Sequence, residues 1–223
     1  LIETLDIVQE ANGQNGFTVL IAGDASVAFE SNELSVKDIE QGERFGVPGA
    51  LIILLVLFGA VLAAFIPIVL AIVAIVVALG ATALVGQAFD LIFFVTLMIT
   101  MIGLAVGIDY SLIIVSRFRE ELSGGLTRGD AIARTGATAS RTVFFSGVIV
   151  VVALGGMLII PSNIFQALAV GAILVVMSAV MASLTLLPAV LYLMGDRINA
   201  LRVPFFGRRL GQKAGPKSGG FWD

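Results

Sequence analysis

Five stretches of this chain are apolar over about the thickness of a bilayer. They cover residues 47–65, 67–86, 91–116, 142–160 and 164–194. About 20 apolar residues in a helix cross the hydrocarbon core. In lipid every backbone polar group must be bonded internally, so helices are the form such stretches take. The pattern predicts a mainly α fold, a polytopic transmembrane bundle of five spans. The third and fifth stretches are long enough to tilt or protrude. Composition closes the other routes. Hydrophobic residues make up 58% of the 223, and charged residues 13%, against about 25% in soluble domains. A soluble domain of this size cannot hide that much apolar surface, and disorder needs the opposite balance.

The connections divide the rest. The first two spans meet at Ile66-Pro67, which predicts a tight hairpin there. Residues 117–141 carry five Arg against three acids, and residues 195–223 carry six Lys or Arg against two Asp. Residues 1–46 hold nine acids and only two basic residues. Positive segments stay cytoplasmic. The loop 117–141 and the basic tail 195–223 are therefore expected inside, and residues 1–46 outside. An odd number of spans requires the two ends to lie on opposite sides, which agrees. Within 1–46, residues 17–21 read as a short β-type run between turn residues, flanked by helical stretches. One strand cannot bury itself. This segment is expected to be the remnant of an outer α+β domain whose larger part precedes it, with 33–44 leading into the first span. The chain has no cysteine and no histidine. Thiol chemistry, Cys/His zinc sites and a histidine base are excluded. Neither a phosphate-binding glycine loop nor a hydrolase motif is present, so no catalytic residues, metal ligands or cofactor sites are expected. Nothing points to a nucleic-acid partner.

Asp109 is the costly residue. The eighteen residues before it, 91–108, are uncharged, and the next charge after it is Arg117. Insertion scales put an acid at a helix centre at roughly 2.5–3.5 kcal/mol. No Lys or Arg lies within the spans to pair with it. An uncompensated carboxyl at that depth is expected to take up and release a proton, and such residues usually mark ion or proton pathways. The alternative is snorkelling to water at the end of a long helix, helped by Ser111 and Ser116. At ~100° per residue, Thr96, Thr100, Gly103, Gly107 and Tyr110 share one stripe, with Asp109 about 100° round from Tyr110. Gly103 and Gly107 form a G-x-x-x-G, which lets another helix approach closely. Ser146 either bonds across to the third span or back to its own helix. Ser178, Ser183 and Thr185 are expected to bond their own backbone. Pro188 is expected to kink the last span, and Gly155-Gly156 to mark close packing.

Gly107-Ile108-Asp109-Tyr110 followed by Ser116-Arg117-Phe118-Arg119-Glu120-Glu121 resembles the signature of the MMPL family, transporters of the resistance–nodulation–division superfamily. Arg141-Thr142-Val143-Phe144-Phe145-Ser146-Gly147, Leu186-Leu187-Pro188-Ala189 and Gly195-Asp196-Arg197-Ile198-Asn199 are similar as well. The resemblance runs from about Glu33 to the end. It implies two similar halves of six spans, of which this chain is the second to sixth spans of the first half. It implies proton-driven export of lipids or other hydrophobic molecules across a bacterial inner membrane, with protons as the coupling ion and no cofactor. It also implies that Asp109 and Tyr110 belong to a proton relay completed by a matching pair in the missing second half. Ser146 would be a neighbour of that relay. Two other readings remain: a relative that assists protein translocation, and a membrane sensor or scaffold with no transport. Oligomeric state is left open.

Overall fold

The computed structural model describes residues 44–86, 94–195 and 198, with the single positions Ile7, Gly23, Lys37 and Gly42. The chain divides into two compact units, Leu1–Phe45 and Gly46–Asp223. In the first, Ile7 and Lys37 are helical and Gly23 lies in a bend, all three exposed. The strand expected at 17–21 lies outside the described residues.

The second unit is helical. Its helices are α1 (Arg44–Phe58, beginning just before the unit), α2 (Val61–Val85), α3 (Phe94–Ser123), α4 (Arg128–Ile159) and α5 (Asn163–Met194). Helices α2 to α5 are long and apolar enough to cross a membrane. Helix α1 is apolar but shorter, rising about 22 Å at ~1.5 Å per residue. No strand occurs among the described residues.

Three boundaries differ from the sequence expectation. The first two helices part at Gly59-Ala60, not at Ile66-Pro67. Gly59 has φ 60°, a backbone state that glycine enters without steric cost. Its amide closes α1 on the Leu55 carbonyl at 2.8 Å. Pro67 is buried inside α2. As the seventh residue of α2 it cannot donate to the Ala63 carbonyl four residues back, yet the helix continues through it. The second difference is the charged segment 117–141. It is nearly all helix, leaving only 124–127 as a turn, with Gly125 at φ 90°. Thr127 caps α4: the Asp130 amide donates to its Oγ1 at 3.3 Å, and that hydroxyl donates to Asp130 Oδ2 at 2.6 Å. The fourth span therefore belongs to a helix starting at Arg128 rather than at Thr142. The third difference concerns Gly155-Gly156. A Cβ at either would meet nothing within 4 Å. They mark the change from α to the 3-10 turn Gly156–Ile159, not a close contact.

Two helices contain π-helical turns, Gly136–Ser140 in α4 and Ala182–Leu186 in α5. The second ends just before Pro188. Proline cannot donate to the Leu184 carbonyl four residues back, and the wider turn accommodates the missing bond. Thr185 Oγ1 donates to the Met181 carbonyl at 2.6 Å, within its own helix as expected.

Helices α2, α3 and α5 pack against one another, and α4 lies mainly against α5. In α2, 56% of the spanning window is buried, and in α4 only 11%. One buried cluster joins Ala78, Val95, Ile99, Ala167 and Val175. The larger one, toward the basic end, includes Ala64, Ile68, Tyr110, Ile114, Phe118 and Leu187. Lipid tails are as apolar as leucine, so small residues that admit close contact hold such helices together. The alanines of α2 do this here.

Candidate functional site

Helix α3 carries one packed side and one open side. Val95, Ile99, Gly103, Gly107, Tyr110 and Ile114 are buried at helical spacing. A Cβ on Gly107 would lie 2.8 Å from both Cα and Cβ of Ala71, so the backbones of α2 and α3 touch there. A Cβ on Gly103 would lie 2.5 Å from Ile75 Cγ1 and 2.7 Å from Val175 Cγ2, side chains of α2 and α5. The two threonines of the expected stripe are not part of it. Thr96 is exposed and Thr100 half-buried, with Thr100 Oγ1 donating to the Thr96 carbonyl at 3.0 Å. A hydroxyl satisfied by its own helix needs no interior partner, so Val95 and Ile99 take the core positions.

Asp109 sits in the middle of α3 on the open side, in an exposed row with Met101, Ala105, Ile113 and Ser116. Among the described residues it has no ion-pair partner. Tyr110, its neighbour in sequence, is 6% exposed and lies in the larger core cluster. Ser111 turns inward and donates to the Gly107 carbonyl at 2.7 Å, so it offers Asp109 no help toward water. Ser146 is half-buried on the surface of α4, in a shallow groove with Arg141, Thr142 and Phe145. The following Gly147 is pressed against Val180 of α5.

The basic end is more organised than a simple positive anchor. Glu121 is buried and held by Arg117 of its own helix and by Arg134 of α4 at 3.5 Å. Arg117 also pairs with Glu120 at 2.7 Å. Arg119 donates to the Phe58 carbonyl at 2.8 Å, and its guanidinium lies 5.4 Å from the centre of the Phe58 ring. These contacts tie α3 to both α1 and α4. Sequence reasoning missed them, although the i, i+4 pair Arg117–Glu121 was visible.

The sequence model of the MMPL family matches residues 3–216. The chain belongs to the MMPL family. It is 38% identical over 187 residues to the mycolic acid-containing lipids exporter MmpL11 of Mycolicibacterium smegmatis, covering 84% of this chain and 19% of that protein. It is 34% identical over 222 residues to the trehalose monomycolate exporter MmpL3 of the same organism, covering 94% of this chain and 22% of that one. With the heme uptake protein MmpL11 of Mycobacterium tuberculosis H37Rv it shares 37% identity over 183 residues, covering 82% of this chain and 19% of that protein. The chain spans about a fifth of the length of these curated relatives.

Proposed function

We propose that this chain is part of the membrane domain of a secondary transporter that exports a long-chain lipid or similar hydrophobic molecule, driven by the proton gradient. Asp109 and Tyr110 are its share of the proton relay. One observation carries the reading: an unpaired carboxyl halfway along α3, on the open side of a helix whose other side is packed. An uncovered acid facing lipid is costly, so this face of α3 is one that another part of the protein covers. The resemblance assigns that role to a second half of the same protein, with its own Asp-Tyr pair. The exporter names of two relatives support lipid as cargo. The basic ends of α3 and α4, with the C-terminal tail, face the cytoplasm of a bacterial inner membrane in this reading, and residues 1–46 face outward.

The test uses the full-length protein in proteoliposomes under an imposed proton gradient. Asp109→Asn is expected to lower both proton flux and lipid movement at least tenfold while the protein stays folded. Undiminished fluxes in the mutant would refute the relay. One relative is named for heme uptake, which favours a second reading in which the cargo moves inward. Loading the vesicles with heme on one side and lipid on the other, and following both, separates the two directions.

A further inference from the structure

We infer that the groove between the basic end of α3 and the π-helical turn of α4 is the aqueous port through which Asp109 exchanges protons with the cytoplasmic side. The inference rests on the relay reading above and adds its route.

The groove is an open depression of about 590 Å³, wide enough to admit several waters at ~30 Å³ each. Ile113 and Ser116 form its upper rim. They follow Asp109 on the same exposed row of α3, about 6 Å and 10 Å further along the axis at ~1.5 Å per residue. Of the residues that line the groove, Ile113 is the nearest to Asp109 along that row. The other sides of α3 are closed by the packing at Gly103, Gly107 and Tyr110.

The lining suits water. Ser116 Oγ donates to the Ile113 carbonyl at 3.0 Å, Thr138 Oγ1 to the Arg134 carbonyl at 2.9 Å, and Thr142 Oγ1 to the Thr138 carbonyl at 3.2 Å. Each hydroxyl commits its proton to its own helix, so each presents lone pairs to the cavity. Arg117, Arg141 and Glu120 border the groove and supply donors and a carboxylate. Both kinds of group together give entering water its hydrogen-bond partners. The π turn Gly136–Ser140 contributes to the wall, and such turns recur at functional sites.

Arg117 lies eight residues beyond Asp109, a cation that would neutralise it if it swung upward. Its ion pairs with Glu120 and Glu121 hold it at the mouth. Asp109 thus stays unpaired. Its carboxylic proton passes to the first water, one proton leaves the water chain at the mouth, and Asp109 remains a carboxylate.

The 223 residues contain no cysteine, so single thiols can report access in the full-length protein once any other cysteines are replaced. Ile113→Cys and Thr138→Cys probe the groove, and Val152→Cys probes the exposed apolar face of α4. The reagent is a charged, membrane-impermeant methanethiosulfonate, applied to vesicles of each orientation. Both groove thiols are expected to react from the cytoplasmic side at least tenfold faster than from the other side, and tenfold faster than the Val152→Cys thiol. Modified Thr138→Cys is expected to lose fivefold or more of its proton flux and to regain it on reduction, a comparison made on one folded protein. Groove thiols inert from the cytoplasmic side, or a modified protein with unchanged flux, would overturn the port. The two readings fail separately: undiminished flux in Asp109→Asn refutes the relay, whereas an inert groove in a protein whose flux depends on Asp109 refutes the port alone.

Discussion

The two sides of α3 differ in what they contribute. On one, Gly103, Gly107 and Tyr110 meet α2 and α5 without a gap. On the other, Asp109 stands in a row of exposed residues with no partner. The packed side is built from small residues and one buried ring, and it holds the bundle together. The open side holds the single acid of the spanning helix interiors, placed where the four long helices leave it uncovered. A packed residue and an exposed acid are thus adjacent in sequence, so the contribution of each to stability can be tested separately.

The sharpest way to break this division is to compare Tyr110→Ala with Asp109→Asn. Truncating a buried aromatic is expected to cost about 3 kcal/mol, whereas the neutral change on the exposed side is expected to stay within about 0.5 kcal/mol. Thermal unfolding in detergent, followed by size-exclusion, reads both. Equal losses would show that the open side carries stability too. Next in size is Gly107→Ala, expected to cost about 2 kcal/mol because its Cβ forces two backbones apart. Adding Ala71→Gly should recover part of that loss, and no recovery would place the strain elsewhere. Gly155→Ala is its control in open space, expected to gain roughly 0.5 kcal/mol from helix propensity. Between these lies Glu121→Gln, expected to cost about 1 kcal/mol, since its partners Arg117 and Arg134 are partly solvated and the pairing is screened. An unchanged melting point for that variant would mean that packing, not charge, joins the basic ends of α3 and α4.

Much of this was legible in the sequence. Long apolar runs dictated helices, because lipid leaves the backbone no other solution. The Gly103–Gly107–Tyr110 stripe and the position of Asp109 about 100° from it followed from helical period alone. What failed did so for identifiable reasons. Pro67 looked like a chain break because proline is the usual breaker, yet α2 runs through it with one hydrogen bond lost, and Gly59 supplied the positive φ that ends a helix. Residues 117–141 looked like a loop because they are charged, but charge does not unmake a helix that leaves the membrane. The buried Glu121 was hidden because its second partner, Arg134, belongs to another helix. Gly155-Gly156 looked like a contact because paired glycines usually are one in membranes. Only the position of the neighbouring helices shows that nothing approaches them.

The touching backbones at Gly107 and Ala71 also set the mechanics of the bundle. A contact made by main-chain atoms has no side chain to bend, and close-packed interiors transmit strain rather than absorb it. Helices α2 and α3 are therefore joined as one stiff beam where those backbones meet. The compliance lies on the other flank, in α4. That helix is fastened at its basic end through Glu121 and near its middle through Gly147, and its π turn lies between those two fastenings. Such a turn between two fastenings is where α4 is placed to flex while the beam holds its line.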